Sequence, residues 1–253
     1  MNRFSKLVKD VYPIAVFVLA AVLLFVPLPM KIIEVLMSVE YIFALFLFCF
    51  KARCDKKRLT VFPNLIIGFS LFTLAIVIST VRTFLKTTEF DAQIPIIRII
   101  GTLICRENVV CGLFTTLLLS GALIIFCKLF ISKQTEAGAR YCLDTMNSKL
   151  REIENLFIQN KITKQDAKDR KEDVQKTADY FSAMDGAAKF FAGTINAFLI
   201  MCIVVIAGGV ALGIIELELN WQEALRQYVM LSTGYLVIFI IPLFIVGLSL
   251  RVQ

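Results

Sequence analysis

Glu40 is the residue of this sequence best placed to do chemistry, because it stands inside an apolar run, Ile32 to Phe50, about six residues or roughly 9 Å beyond Glu34. A carboxylate at such a place costs about 2.5–3.5 kcal/mol on insertion scales, so it is protonated, or meets a polar partner from another helix, or lines a wet cavity. Two roles are therefore open to it: a hydrogen-bonded structural acid, or a proton handle. Little else in the chain is reactive. It has no histidine and 7 cysteines, and Cys49, Cys54, Cys105, Cys111, Cys127, Cys142 and Cys202 contain no Cys-x-x-Cys pair, which argues against zinc and haem. Most of these cysteines fall in or beside apolar runs, where a small apolar residue is the ordinary role. Cys105 and Cys111 flank the start of one such run, so a disulfide is conceivable there, although spacing alone does not fix the Cα separation. There is no nucleophile with a neighbouring base and no phosphate-binding glycine loop, so neither an enzyme nor a cofactor protein is expected.

The elements that must position Glu40 are membrane helices. Hydrophobic residues make up 58% of the 253, and they fall in long blocks separated by charge. A span needs about 20 mainly apolar residues, and candidates run from Tyr12 to Leu28, Ile32 to Phe50, Leu65 to Val81, Val109 to Phe126, Phe198 to Ile215 and Val229 to Leu250. The class predicted is all-α, a polytopic membrane bundle of about six spans. Runs such as Phe43-Ala44-Leu45-Phe46-Leu47-Phe48 lack the alternation that a β-barrel requires. The first block is not a cleaved signal, since no small-x-small site follows and Val26-Pro27-Leu28-Pro29 leads straight into the second. In the fifth block Gly208, Gly209 and Gly213 read first as helix packing and second as a moving seam.

Basic residues set the orientation. Arg3, Lys6 and Lys9 lead the chain, Lys51, Arg53, Lys56, Lys57 and Arg58 fill the second connection, the long fourth connection is rich in Lys, and Arg251 closes the chain, so both termini are expected in the cytoplasm. The 82–108 loop and the acidic Glu216, Glu218 and Glu223 segment then face outward. The net charge of +7 follows this inner face and suits anionic lipid headgroups rather than nucleic acid.

Three divisions follow: residues 1–127 with four spans, a cytoplasmic segment 128–192, and residues 193–253 with two more. Within the segment, Asn160-Lys161-Ile162-Thr163 reads as a turn, with Thr163 as N-cap and Asp166 at the capping-box position of a charged helix running to about Phe181. Before the turn Leu143, Met146, Leu150, Ile153 and Phe157 recur at helical spacing, so a helical hairpin lying under the membrane is expected. It is longer than a mere connector needs, and loops of this length usually bind something.

The end of that segment, Ser182-Ala183-Met184-Asp185-Gly186-Ala187-Ala188-Lys189-Phe190, resembles the signature loop of the FHIPEP family, the inner-membrane export gates of bacterial flagella and type III secretion systems. Before the turn, Glu136, Ala139, Arg140, Leu143, Asp144, Met146 and Lys149 sit where that family has Glu-Val-x-Ala-Arg-Phe-x-Leu-Asp-Ala-Met-Pro-Gly-Lys-Gln-Met, with Tyr141 for its Phe. Further likenesses are Val26-Pro27-Leu28-Pro29, Val61-Phe62-Pro63, Gly101, Asn108, Gly208-Gly209, Gly213 and Ile241-Pro242. Their constant order is more specific than any one of them alone. The resemblance implies a homo-oligomeric ring in the inner membrane, other export-apparatus membrane proteins as partners, and Arg140, Asp144, Lys149, Met184, Asp185, Gly186, Lys189 and Phe190 as the signature, partner-docking loop.

The departures carry their own expectation. Asn147-Ser148 stands for the family's Pro-Gly, and Ile153-Glu154-Asn155-Leu156 for its Ile-Asp-x-Asp. The family's intramembrane Arg and Asn of the third span are Thr73 and Val77 here, its Gly-Asp of the fifth is Gly193-Thr194, and its Gly-Asp-Gly of the sixth is Gly234-Tyr235-Leu236. Intramembrane charges mark ion pathways, so their replacement leaves Glu40 as the surviving acid and favours a scaffold without proton coupling over an active gate. Relatives continue into a large cytoplasmic ring domain. This chain reaches Gln253 without one, which fits a truncated or decaying paralogue, or a gene split in two.

Overall fold

The computed structural model describes residues 28–53, 61–86, 93–106, 108–131 and 140–250, and every regular element among these is a helix. The run expected from Tyr12 to Leu28 lies almost wholly outside the described residues. The helices are α1 (Met30–Arg53), α2 (Phe62–Lys86), α3 (Pro95–Cys105), α4 (Val109–Phe126), α5 (Met146–Ile158), α6 (Lys164–Glu216) and α7 (Trp221–Ser249), with π-helical turns at Cys127–Ile131 and Tyr141–Thr145. Five of them, α1, α2, α4, α6 and α7, are long and apolar enough to cross a membrane, and each contains one of the predicted spans.

Their boundaries follow local chemistry. Asn108 caps α4 by accepting from the Val110 N–H at 2.9 Å. Pro95 opens α3, where its missing N–H costs nothing, and Arg106 in the left-handed conformation closes it, donating its backbone N–H to the Thr102 carbonyl. α3 corrects the expectation of a plain 82–108 loop. It has 11 residues, roughly 16 Å, too short to span, and it buries one face, Ile97, Gly101 and Cys105, while Ile99 and Leu103 stay exposed.

α1, α2, α6 and α7 form a closed ring of four, in which α1 and α6 each pack on both α2 and α7; α3 and α4 then cover the remaining side of α7, making it the most enclosed of the membrane-length helices. α3 approaches α7 through glycines. A Cβ on Gly101 would overlap the Met230 carbonyl oxygen, and one on Gly234 would overlap that of Ile97, so backbone rests on backbone. Pro242 lies inside α7 and cannot donate to the carbonyl one turn back, that of Ile238. The Tyr41 hydroxyl of α1 donates to this freed oxygen at 2.6 Å, so a break in one helix becomes a bond between two.

The charged hairpin forms as expected at its tip and differs elsewhere. The Thr163 hydroxyl accepts from the Asp166 N–H at 3.1 Å and the Asp166 carboxylate accepts from the Thr163 N–H at 3.3 Å, the reciprocal capping box. Ile153, Ala167 and Val174, with Met146, Leu150 and Ile162, join α5 to α6, and Lys171 bridges to Glu154 at 3.0 Å. Phe157, placed in that seam by its spacing, is instead 42% exposed. α6 does not stop near Phe181. It continues without a break to Glu216, 53 residues or about 80 Å, so the division expected at 192/193 falls inside one helix. It contains no proline and its glycines do not break it, and its buried face simply changes partner from α5 to α2 and α7.

Candidate functional site

Glu40 lies on the inward face of α1 with Ile33, Met37, Ala44 and Leu47, and only 1% of it is exposed. Its Oε1 accepts from the Thr73 hydroxyl of α2 at 2.7 Å. Among the described residues no lysine or arginine contacts it. The next residue, Tyr41, makes the bond to Ile238, so α1 is pinned to α2 and α7 at the same level. Of the alternatives open to a membrane acid, the polar partner from another helix is the one present.

The three positions where the chain departs from the family's membrane charges do different things. Thr73 meets Glu40. Thr194, buried on α6, turns its hydroxyl into its own helix, donating to the Phe190 carbonyl at 3.2 Å. Tyr235 is fully buried, with its ring 6.0 Å from Phe84, 5.1 Å from Phe198 and 5.0 Å from Phe239, and its hydroxyl has no hydrogen-bond partner among the described residues. Where charges would need water or each other, an aromatic cluster closes the space. A relay requires groups in hydrogen-bond reach, and among the described residues none extends from Glu40 beyond Thr73.

The signature segment is helical, not a loop, and Asp185-Gly186 lies within α6 without ending it. Met184, Ala187 and Ala188 are buried in the same core as Phe69 and Phe191 of the membrane bundle. Asp185 and Lys189 pair across one turn at 2.8 Å, and Gly186, Lys189 and Phe190 are exposed on the other face. The segment is thus the turn by which α6 joins the bundle. The small residues at 187 and 188 let α6 pass close to its neighbours.

Around it lies a layer of rings and cations. Lys51, at the end of α1, donates to the Tyr180 hydroxyl at 3.4 Å and sits 5.3 Å from the centre of the Phe62 ring. Tyr141 lies 4.8 Å from Phe181, and Lys149 is 5.7 Å from the Tyr141 ring centre. Arg140 and Asp144 are exposed on the approach to α5. The structure therefore brings Tyr141 and Lys149 to α6 beside the signature segment, while Glu40 is separate from both, deep in the bundle. Amphipathic rings with cations at this level have the composition of a membrane–water boundary.

Gly209 and Gly213 receive the Tyr228 ring of α7, since a Cβ on Gly209 would overlap it and one on Gly213 would approach it to 3.2 Å; Gly208 faces Leu85 instead. Cys105 and Cys111, candidates for a disulfide, are both free thiols, the Cys111 Sγ lying 3.8 Å from the Ile104 carbonyl oxygen. Sequence reasoning missed the Tyr41 bond and the Thr116–Thr233 hydroxyl pair at 2.9 Å between α4 and α7. Pro242 in an apolar run was the one available signal for the first.

Comparison with known proteins places the whole arrangement. The chain is 31% identical to the flagellar biosynthesis protein FlhA of Borreliella burgdorferi over 92% of its length, and 28% identical to FlhA of Bacillus subtilis over 94%. It is also 28% identical to the secretion system apparatus protein SsaV of Salmonella typhimurium over 95% of its length. These matches cover 34%, 35% and 35% of the relatives, so the chain spans about a third of their length. No solved structure matches. The FHIPEP family profile aligns with residues 20–251, nearly the whole chain, and this protein belongs to the FHIPEP family.

Proposed function

We propose that this chain is an inner-membrane component of a flagellar or type III protein export apparatus, a subunit of its export-gate ring. The observation that carries the reading is the family match across residues 20–251, made by a bundle with five helices of membrane length. Its partners are other copies of itself, the neighbouring export-apparatus membrane proteins and membrane lipids. Lys51, Arg53, Lys128 and the lysine-rich hairpin support a cytoplasmic location for this side, and with it for both termini. Gated passage of protein needs positioning and movement, not covalent catalysis, so the chain acts without enzymatic chemistry or a cofactor. The exposed Arg140, Asp144, Gly186, Lys189 and Phe190 beside the aromatic layer are the surface that partners meet.

A second reading, a membrane scaffold without proton coupling, is favoured by one observation: among the described residues Glu40 is held by Thr73 alone, and Thr194 and Tyr235 extend no polar path from it. Two measurements separate the outcomes. Deleting the gene from its host should reduce export of flagellar or type III substrates, with recovery on complementation; unchanged export overturns the main reading. In liposomes loaded with a pH-sensitive dye, the scaffold reading predicts slow decay of an imposed gradient, equal in wild type and Glu40→Gln. Fast decay abolished by the substitution identifies an active gate.

A further inference from the structure

Lys51 is a half-buried cation without a counter-ion. Its ammonium lies 5.3 Å from the centre of the Phe62 ring and 3.4 Å from the Tyr180 hydroxyl, and among the described residues no carboxylate reaches it. The acids on this stretch of α6 are taken elsewhere, Asp179 by the Gln175 amide at 2.9 Å and Asp185 by Lys189 at 2.8 Å. An ammonium has three donors and Lys51 spends one; the Tyr180 oxygen accepts that bond and keeps its own proton to give. Among the described residues neither side chain makes another hydrogen bond. Unspent donors thus converge from α1 and α6 at the level of the membrane–water boundary, where a partly desolvated charge is costly until an anion meets it.

We propose that Lys51 and Tyr180 together hold the phosphate of an anionic phospholipid. Phosphate oxygens only accept, so one phosphodiester takes the Lys51 N–H and the Tyr180 O–H at once, and the ammonium supplies the opposite charge. A free phosphate would meet the same donors, but what adjoins them is apolar. The Phe62 ring against the cation stacks on Phe50 at 6.4 Å, Phe50 lies 5.8 Å from Phe46, and Phe46 and Ile42 are 51% and 67% exposed. Phe50, Phe46 and Ile42 recur every fourth residue, one stripe of α1 that runs from the boundary into the hydrocarbon and along which an acyl chain lies. Arg53, exposed two residues beyond Lys51, adds to the same positive field. Tyr180 stands two residues before the signature segment, so the lipid ties that turn of α6 to the end of α1. The site rests on the reading of the chain as a membrane bundle and not on its role in export, so it stands or falls separately from that role.

The test titrates dioleoyl phosphatidylglycerol, dioleoyl phosphatidylcholine or inorganic phosphate into the full chain in a neutral detergent and counts bound molecules by native mass spectrometry. Wild type should bind phosphatidylglycerol about tenfold more tightly than the zwitterionic lipid, and inorganic phosphate in large excess should not displace it. Lys51→Gln should abolish that preference. Tyr180→Phe leaves the net charge unchanged, so attraction to a basic surface alone predicts no effect, whereas the proposed site predicts binding weaker by roughly three- to tenfold, the size of one hydrogen bond. Both substitutions keep most of the side chain, and each variant should melt as wild type does in phosphatidylcholine. Equal binding of the two lipids by wild type, unchanged affinity in Tyr180→Phe, or displacement of the lipid by inorganic phosphate overturns the proposal.

Discussion

At the scale of single residues, the membrane interior is organised by carbonyls and hydroxyls that cannot find water. Pro242 releases the Ile238 carbonyl and Tyr41 takes it up at 2.6 Å. Tyr41→Phe should therefore cost about 1–3 kcal/mol of stability, while in a Pro242→Ala background, where the helix satisfies its own carbonyl, the same change should cost far less. Unfolding titrations in mixed micelles on the four proteins of this cycle measure the coupling. Glu40 obeys the same logic: Thr73→Val removes the hydroxyl it accepts from and should also cost about 1–3 kcal/mol, with Thr73→Ser close to neutral. The oddity of Glu40 could be read from its apolar surroundings, but its partner could not. That partner stands on another helix, and nothing local in the sequence points from one to the other.

At the scale of elements, the positions of the membrane helices were legible because a span has a fixed length and a simple composition, and the tip of the hairpin was legible because a capping box is local chemistry. Thr163→Ala should loosen the hairpin by about 1 kcal/mol, read as faster amide exchange in the first turns of α6. Asp166 is held below the usual aspartate value of 3.8, chiefly by the Thr163 hydroxyl and then by the Thr163 backbone N–H. A carboxyl lowered by folding stabilises the folded form above its unfolded pKa and loses that contribution as pH falls through the lowered value. Asp166→Asn should thus differ from wild type at neutral pH, and the melting curves of the two full chains should converge under strongly acid conditions. Two features were not legible. α3 is too short for a span and is held by backbone contacts at Gly101 and Gly234, while the union of hairpin and span into one α6 depends on the absence of any break, which charge patterning conceals. In the same helix Gly209→Val would drive a side chain into the Tyr228 ring and should cost about 1–3 kcal/mol, measured by the same titrations.

For the whole molecule, one continuous helix links the charged hairpin to the membrane core, so a force or partner acting at residues 164–175 reaches the part that packs on α2 and α7 without crossing a loop. Family membership was legible because the motifs kept their order over nearly the whole chain, and it holds with Thr73, Thr194 and Tyr235 at positions where the resemblance implies membrane charges. The proposed orientation, argued from the Lys and Arg distribution, would put Lys161 in the cytoplasm and Glu218 outside; an impermeant thiol reagent applied to intact cells should then label a cysteine at 218 and spare one at 161, in a background where each reports only itself. If the chain works inside an export apparatus, as proposed, capture of the tagged chain from native membranes followed by mass spectrometry should show other export-apparatus membrane proteins enriched over a control membrane protein of similar abundance. Recovery of the chain with none of them enriched contradicts that proposal.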